Sequence, residues 1–112
     1  MSDLEVTIER TEDATFVRPA GDIDLSRAPA LRQWIGEAMS EKPAKLIVDL
    51  ASVPYMDSSG VATLVEAMQV ARRQSAKLVL CGLQDKVRSI FEIARLDMVF
   101  TITDDAEAAL LA

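Results

Sequence analysis

The side chains of this protein that could carry chemistry are carboxylates and hydroxyls, because its 112 residues include no histidine and a single cysteine. Without histidine there is no Ser–His–Asp triad, no Cys–His nucleophile and no His-ligated zinc site. The lone cysteine, Cys81, cannot form an internal disulfide or a CxxC redox pair. Any function that depends on chemistry must therefore use acidic and hydroxyl side chains.

The most informative segment is Asp57-Ser58-Ser59-Gly60, which stands where the loop after an apolar strand becomes a helix. The first turn of a helix has free backbone N–H groups and a partial positive charge, and both favour a phosphate. Asp57 can cap that turn, and Gly60 leaves space for a close approach to the backbone. A phosphate on Ser58 would add about −1.5 to −2 charge beside Asp57. It could thus alter a docking surface without unfolding the domain.

Two other interpretations of these residues remain open at this point. The segment is also what a well-capped helix start with no further function looks like. Alternatively, Asp22, Asp24 and Asp57 form a carboxylate cluster that works as an acid and base pair, which requires one raised pKa. The sequence shows neither a pocket nor an activated nucleophile for such an enzyme. Solvated loop carboxylates and helix caps are the simpler explanation of this cluster.

The elements that position these residues alternate between strands and helices, in the order β-β-α-β-α-β-α-β-α. This order predicts an α/β fold, a mixed sheet opened by a β-hairpin with about four α-helices packed against it. Right-handed crossovers bring the C-terminal ends of parallel strands to one edge, where functional loops gather. The loops 21–24 and 56–60 should therefore lie side by side. The predicted strands cover 4–9, 15–19, 45–50, 77–81 and 98–102, and the helices begin at the N-cap Ser26, at Asp57, at Gln84 (to about Leu96) and after Thr103-Asp104-Asp105 (to Leu111).

Apolar spacing predicts which side of each helix is buried. Trp34 lies on the stripe of the first helix and is interpreted as a core or core-edge residue, and Met56, Met68 and Cys81 are also expected in the core. Pro54 and Tyr55, in the loop beside Asp57, are instead candidate partner contacts. The predicted stripes are Leu31, Trp34, Ile35 and Ala38 in the first helix, Val61, Leu64, Val65 and Met68 in the second, and Val87, Ile90, Phe91 and Ala94 in the third.

Composition and charge argue against several classes of partner. Lys and Arg number 12 against 18 Asp and Glu, a net charge of −6, which does not suit a nucleic-acid footprint. No stretch approaches the roughly 18 apolar residues of a membrane span, and the acidic start at Met1-Ser2-Asp3-Leu4-Glu5 lacks the apolar region of a signal peptide. We expect residues 1–112 to form a single cytoplasmic domain that is a monomer when free, with no cofactor and no nucleic-acid or membrane partner.

The sequence resembles the STAS domain family, specifically the single-domain bacterial anti-sigma factor antagonists. The resemblance spans almost the whole chain, and its most specific part is Met56-Asp57-Ser58-Ser59-Gly60 at a strand–helix junction. The other matching segments are weaker alone but fall in the right order. The matching segments are Gly21-Asp22-Ile23-Asp24, Leu46-Ile47-Val48-Asp49-Leu50, residues 53–61, Leu78-Val79-Leu80-Cys81-Gly82, residues 87–93 and Phe100-Thr101-Ile102.

This resemblance implies a phosphorylation-controlled partner switch. An unmodified antagonist of this family binds an anti-sigma serine kinase of the histidine-kinase-like ATPase fold and so frees the sigma factor. The kinase phosphorylates the serine after the aspartate, here Ser58, and the complex dissociates; a metal-dependent phosphatase reverses the modification. The family's aspartate and second hydroxyl correspond to Asp57 and Ser59. The resemblance implies a substrate and binding module rather than an enzyme, with the helix 58–74 and its neighbouring loops as the docking surface.

The chain departs from the family pattern at both ends of the third helix. Arg95 replaces a glycine that often ends this helix, and Gln84-Asp85 replaces a proline that often begins it. Two alternatives also remain. The domain could be a STAS scaffold that is never phosphorylated, acting in a transport or signalling complex. Less in keeping with the sequence, it could be a receiver phosphorylated on Asp49, for which the acidic magnesium ligands of an early parallel strand are lacking.

Overall fold

The computed structural model describes residues 4–112. Met1-Ser2-Asp3, on which the signal-peptide argument partly rests, lie outside the described residues. Within 4–112, no helix is both long enough and apolar enough to cross a membrane. The elements are β1 (Glu5–Arg10), β2 (Thr15–Ala20), α1 (Ala28–Ser40), β3 (Lys45–Asp49), α2 (Ser58–Arg73), β4 (Lys77–Cys81), α3 (Asp85–Ile93), a 3₁₀ turn (Leu96–Met98), β5 (Thr101–Thr103) and α4 (Ala106–Leu111).

The five strands form one mixed sheet in the order β1-β2-β3-β4-β5. The hairpin β1–β2 is antiparallel, and every later neighbour is parallel. From β2 to β5, each crossover leads to the neighbouring strand on the same side. Crossovers that all have the same handedness therefore place α1, α2 and α3 on one face of the sheet. The buried residues of these three helices indeed share one core. The predicted α/β fold with its opening hairpin is confirmed.

The central strand β3 is buried on both faces, as its continuous apolar run predicted. Leu46 and Val48 pack into the core beneath α1, α2 and α3, whereas Ile47 belongs to a second core on the opposite face. All three side chains have no exposed surface. The second core is covered by α4 through Ala109, so the short terminal helix closes the face that the crossover helices leave open.

The first helix begins later than the sequence predicted, and Ser26 is not its N-cap. The N-cap position is Arg27, and the carboxylate of Asp24 accepts hydrogen bonds from the backbone N–H groups of Ser26 (3.0 Å) and Arg27 (3.1 Å). Trp34 is 38% exposed rather than buried in the core. At about 100° per residue, it lies about a quarter turn from the centre of the buried face.

The second helix buries a narrower, smaller face than its apolar stripe suggested. Of the predicted stripe only Leu64 is fully buried, while Val61, Val65 and Met68 are half-buried at the edge of the core. The fully buried positions are mostly small, because α2 packs closely between its neighbours. They are Gly60, Thr63, Leu64, Ala67 and Ala71.

The third helix ends earlier than predicted, at Ile93, because Arg95 adopts a left-handed conformation (φ 61°). The following 3₁₀ turn replaces the start of the predicted last strand, which runs over Thr101–Thr103 instead of 98–102. As a result Ala94 is exposed, Ile90 is half-buried, and the buried residues of the helix are Val87 and Phe91. The residue that departs from the family glycine therefore occupies a conformation that glycine adopts without strain.

Candidate functional site

The two loops expected side by side are joined by backbone hydrogen bonds. Ile23 and Met56 form a parallel β-bridge. The Ile23 N–H donates to the Tyr55 carbonyl (2.9 Å), and the Asp57 N–H donates to the Ile23 carbonyl (3.1 Å). These bonds extend the β2–β3 pairing past the ends of the strands. The start of α2 is thereby held against the loop that leads into α1.

Asp57 is the N-cap of α2. Its Oδ1 atom accepts hydrogen bonds from the Ser59 backbone N–H (2.9 Å) and from the Ser59 hydroxyl. These bonds hold the pKa of Asp57 below its ordinary value: the Ser59 hydroxyl contributes most, backbone N–H groups of Ser59, Gly60 and Leu25 add to it, and partial desolvation opposes it. The carboxylate is therefore ionised at neutral pH and engaged in holding the first helical turn.

The two serines of the segment have different environments. Ser58, the first residue of α2, is exposed, and no side-chain hydrogen bond to it is formed within residues 4–112. Ser59 is half-buried, its hydroxyl donates to Asp57, and its carbonyl accepts a hydrogen bond from the Thr63 hydroxyl (3.0 Å). Ser58 is therefore the more exposed of the two serines, and the Ser59 hydroxyl is already engaged by Asp57.

Gly60 is required for packing and does not open a ligand site. A Cβ atom at this position would lie 2.5 Å from Met56 Cγ and 2.9 Å from Ile23 Cγ2. Both of these side chains are fully buried. The space that the sequence assigned to an approaching group is thus filled by the protein's own core, and Gly60 lets α2 approach the two joined loops closely.

Asp22 and Asp24 lie in the loop joined to the phosphosite candidate, but they do not form an acid–base pair with Asp57. Asp24 accepts hydrogen bonds from the Ser26 hydroxyl (2.7 Å) and from backbone N–H groups, and these lower its pKa, with the hydroxyl contributing most. Asp22 is exposed. Acid–base catalysis by a carboxyl pair needs a raised pKa, whereas those of Asp24 and Asp57 are both lowered.

Asp49, the acceptor in the receiver interpretation, is engaged in other contacts. Its Oδ1 atom accepts a hydrogen bond from the Ala51 N–H (3.0 Å), and its Oδ2 atom lies 3.4 Å from Arg18 Nε. Burial, together with the charge of Asp49, raises the pKa of Cys81 to about 12, so this thiol stays protonated. No group of three or more His, Cys, Asp or Glu residues between positions 4 and 112 is arranged to hold a metal ion.

The two joined loops carry two exposed apolar side chains, and the sequence had indicated only one of them. Tyr55 is 46% exposed, as expected of a loop contact, and Leu25 is 76% exposed. Leu25 could have been noticed as an apolar residue between two loop residues, Asp24 and Ser26, outside any helical stripe. On the other side of the site, the Gln84 side chain donates a hydrogen bond to the Ala51 carbonyl (2.8 Å), a bond that the family's proline could not make.

Comparison with known proteins identifies the domain family of this chain. The STAS domain family model matches residues 5–109. An anti-sigma-B factor antagonist of Listeria monocytogenes is 34% identical over 94 residues, which cover 84% of this chain and 82% of the relative. An anti-sigma factor antagonist from Mycobacterium paratuberculosis superposes with a TM-score of 0.89 at 24% identity, covering 96% of this chain and 92% of that one.

A third comparison is with the Bacillus cell fate determinant SpoIIAA, solved in its phosphorylated form. It superposes with a TM-score of 0.72 at 21% identity, covering 93% of this chain and 96% of that chain. At this identity the likeness bears on the fold. The sheet with its opening hairpin, the capped α2 and the match over 5–109 agree, and the chain belongs to the STAS domain family.

Proposed function

We propose that this protein is an anti-sigma factor antagonist that exchanges partners according to the phosphorylation of Ser58. In its unmodified form it binds an anti-sigma serine kinase of the ATPase fold and so frees a sigma factor. Phosphorylation of Ser58 dissociates the complex, and a metal-dependent serine phosphatase restores the unmodified form. Similarity to an anti-sigma-B factor antagonist over 84% of this chain and 82% of the relative supports this assignment.

The observation that carries the proposal is the difference between the two neighbouring serines. Ser58 is exposed at the first position of α2, whereas the Ser59 hydroxyl is held by Asp57. In the reaction, the Ser58 hydroxyl oxygen attacks the γ-phosphorus of ATP, ADP departs, and the hydroxyl proton passes to a base of the kinase. The antagonist supplies only the nucleophile and its position, so it acts as a substrate and a binding module.

The charge around Ser58 explains why a phosphate would release the partner while leaving the fold intact. The N-terminus of α2 is a favourable place for an anion, so a phosphoserine there does not unfold the helix. The new charge lies beside the ionised Asp57 and close to Leu25 and Tyr55, whose exposed apolar surface suits a protein contact. Added charge on this surface would weaken the complex, because it would repel like charge on the docked kinase or lose its hydration unfavourably at the interface.

The docking surface in this proposal is α2 with the two joined loops, in a single cytoplasmic domain comprising residues 1–112 that is a monomer when it is not bound to a partner. Ser59, Gly60 and Asp57 shape the first turn, and Asp22 and Asp24 add negative charge beside it. None of these residues is given a catalytic role, since catalysis belongs to the kinase and the phosphatase.

The test is to incubate the protein with the anti-sigma kinase encoded in the same genome and ATP, and to locate phosphate by mass spectrometry. We expect one phosphate, on Ser58, and none on the Ser58→Ala variant. Ser59→Ala is the matched control and should still be phosphorylated. Phosphate on Ser58→Ala, or a labile acyl phosphate on Asp49, would contradict the proposal. A domain that binds the kinase but never accepts phosphate would be the constitutive scaffold instead.

A further inference from the structure

A groove lies at the opposite end of α2 from Ser58, between the last turns of that helix and the start of strands β4 and β5. Arg72 is 14 residues beyond Ser58 in α2, about 21 Å away at about 1.5 Å per residue. The groove has a volume of about 180 Å³. It is lined by Met68, Ala71, Arg72, Ala76, Lys77, Leu78, Val99, Phe100 and Thr101.

The floor of the groove is apolar and well supported. Ala71, Leu78 and Phe100 are buried, and the Phe100 ring packs edge-on against Phe91 with ring centres 5.5 Å apart. The groove is comparable in volume with an apolar cavity of about 150 Å³ that binds benzene. It therefore has room for one large apolar side chain of a partner.

The segment that leads into this groove along the chain carries exposed apolar side chains. Val99 lines it and is 44% exposed, and Met98 and Ile93 are 78% and 84% exposed. The left-handed turn at Arg95 and the hydrogen bond from the Val99 N–H to the Leu96 carbonyl (3.0 Å) hold this segment in place. An exposed apolar segment with a defined backbone is typical of an interaction surface.

The rim of the groove is positively charged, in contrast to the protein as a whole. Arg72 and Lys77 line the groove, and neither has an acidic side chain within 4.0 Å among residues 4–112. The helix dipole at the C-terminus of α2 stabilises the positive charge of Arg72. Lys77 is the first residue of a strand, so no helix dipole accounts for its charge. In a protein with a net charge of −6, this places two cations beside an apolar slot.

We propose that this groove binds an acidic protein segment that inserts one large apolar side chain beside Val99 while its carboxylates pair with Arg72 and Lys77. Charge complementarity selects this occupant: the positive rim attracts carboxylates, and the apolar floor accepts an anchor. Because Met68, Ala71 and Arg72 belong to α2, the segment would share that helix with the kinase but bind at the opposite end from Ser58. The inference does not depend on phosphorylation.

The test uses NMR chemical-shift changes of the isotope-labelled protein during titration with three short synthetic peptides. The first peptide has glutamates around a single phenylalanine, the second has serine for the phenylalanine, and the third has lysines for the glutamates. We expect shifts at Met68, Ala71, Lys77, Val99 and Phe100 with the first peptide only. Shifts confined to the surroundings of Ser58, equal binding of the lysine peptide, or no shift at millimolar peptide would overturn the proposal.

Matched variants separate the groove from general charge. Arg72→Glu should weaken binding of the first peptide by roughly three- to tenfold, whereas Arg73→Glu, an identical change at the next residue outside the groove, should leave it nearly unchanged. Equal weakening by both variants would contradict a groove. If no peptide causes shifts, sedimentation tests the other possible occupants. Co-sedimentation with phosphatidylglycerol vesicles that Val99→Ser abolishes would assign the surface to a membrane instead. A concentration-dependent dimer that Val99→Ser abolishes would assign it to a second copy of this chain.

Discussion

The Asp57–Ser59 pair shows how one side chain can decide which of two neighbouring serines is available. The Asp57 carboxylate binds the Ser59 hydroxyl and backbone N–H, and both bonds favour its ionised form. The cap thereby occupies Ser59 and leaves Ser58 free. The family resemblance already pointed to Ser58, and the structure adds the physical difference: only the Ser59 hydroxyl is hydrogen-bonded to Asp57.

The lowered pKa of Asp57 predicts a specific pH dependence of stability. A carboxyl whose folded pKa lies below its unfolded value, about 3.9, stabilises the fold fully above that value. This contribution is lost as the pH falls through the folded pKa. Asp57→Asn should therefore lower the urea midpoint at neutral pH, and the difference from the unmodified protein should shrink as the pH falls below about 3.9.

Asp22→Asn is the matched control for this experiment, because Asp22 is exposed in the adjoining loop and caps no helix. Its urea midpoint should follow that of the unmodified protein across the same pH range. An Asp57→Asn deficit that stays constant into acid would show that ionisation of Asp57 does not stabilise the fold.

Gly60 gives a second prediction for a single residue. Gly60→Ala should reduce the free energy of unfolding by about 1–3 kcal/mol, because its Cβ atom would overlap the buried side chains of Met56 and Ile23. Gly36→Ala is the control: it lies within α1 with no atom near its Cβ position, and should raise stability by about 0.5–1 kcal/mol. Chemical denaturation measures both, and equal effects would show that close packing at Gly60 is not limiting.

Among the elements, α3 shows most clearly how a local backbone conformation sets the length of a helix. The helix stops at Ile93 because Arg95 is left-handed, and the 3₁₀ turn that follows delays the last strand. The left-handed conformation is energetically unfavourable for a residue with a Cβ atom, whereas glycine adopts it readily. The position therefore carries a small strain that the rest of the fold stabilises.

Replacing Arg95 should reveal that strain. Arg95→Gly is expected to raise the free energy of unfolding by about 1 kcal/mol, since glycine removes the Cβ clash of the left-handed turn. Arg95→Ala keeps the Cβ atom and should give no such gain. Thermal and urea unfolding measure the difference, and a gain of the same size in both variants would point to the loss of the guanidinium charge rather than to the backbone.

For the whole molecule, the order of the strands decides where the proposed docking surface lies. Because β2, β3, β4 and β5 run parallel and adjacent, the loops after β2 and β3 meet at one edge and are joined there by the Ile23–Met56 bridge. The charges of Asp22, Asp24 and Asp57 are gathered on this edge. A new negative charge on Ser58 thus acts on a surface that is already acidic.

This arrangement predicts that Ser58→Asp weakens binding of the anti-sigma kinase without changing the fold. The added charge next to Asp57 should reduce affinity, and more salt should reduce the difference from the unmodified protein. Calorimetry measures the affinity, and circular dichroism checks the fold. Ser89→Asp, the same change at an exposed position of α3, is the control and should bind normally. Unchanged affinity of Ser58→Asp would argue against charge as the release mechanism.

Much of this fold follows from local pattern. The buried run at Lys45–Asp49, the hairpin and the order of strands and helices were all predicted, because apolar periodicity and capping residues act over a few positions. The predictions that were wrong lie where distant packing or backbone strain decides. Trp34 is turned toward solvent by the way α1 lies on the sheet, and the end of α3 depends on Arg95.

The sequence by itself determined the α/β class, the acidic character of the chain, the absence of histidine chemistry and the helix start at Asp57-Ser58-Ser59-Gly60. Tertiary structure decided the rest of the site. It joined the two loops by backbone hydrogen bonds and placed the Ser59 hydroxyl against the Asp57 carboxylate. It also filled the space at Gly60 with the side chains of Met56 and Ile23, and it formed the groove beside Val99. The reason is physical: strand and helix patterns are set by neighbours in the chain, whereas exposure, pKa and close contact depend on residues that only the folded sheet brings together.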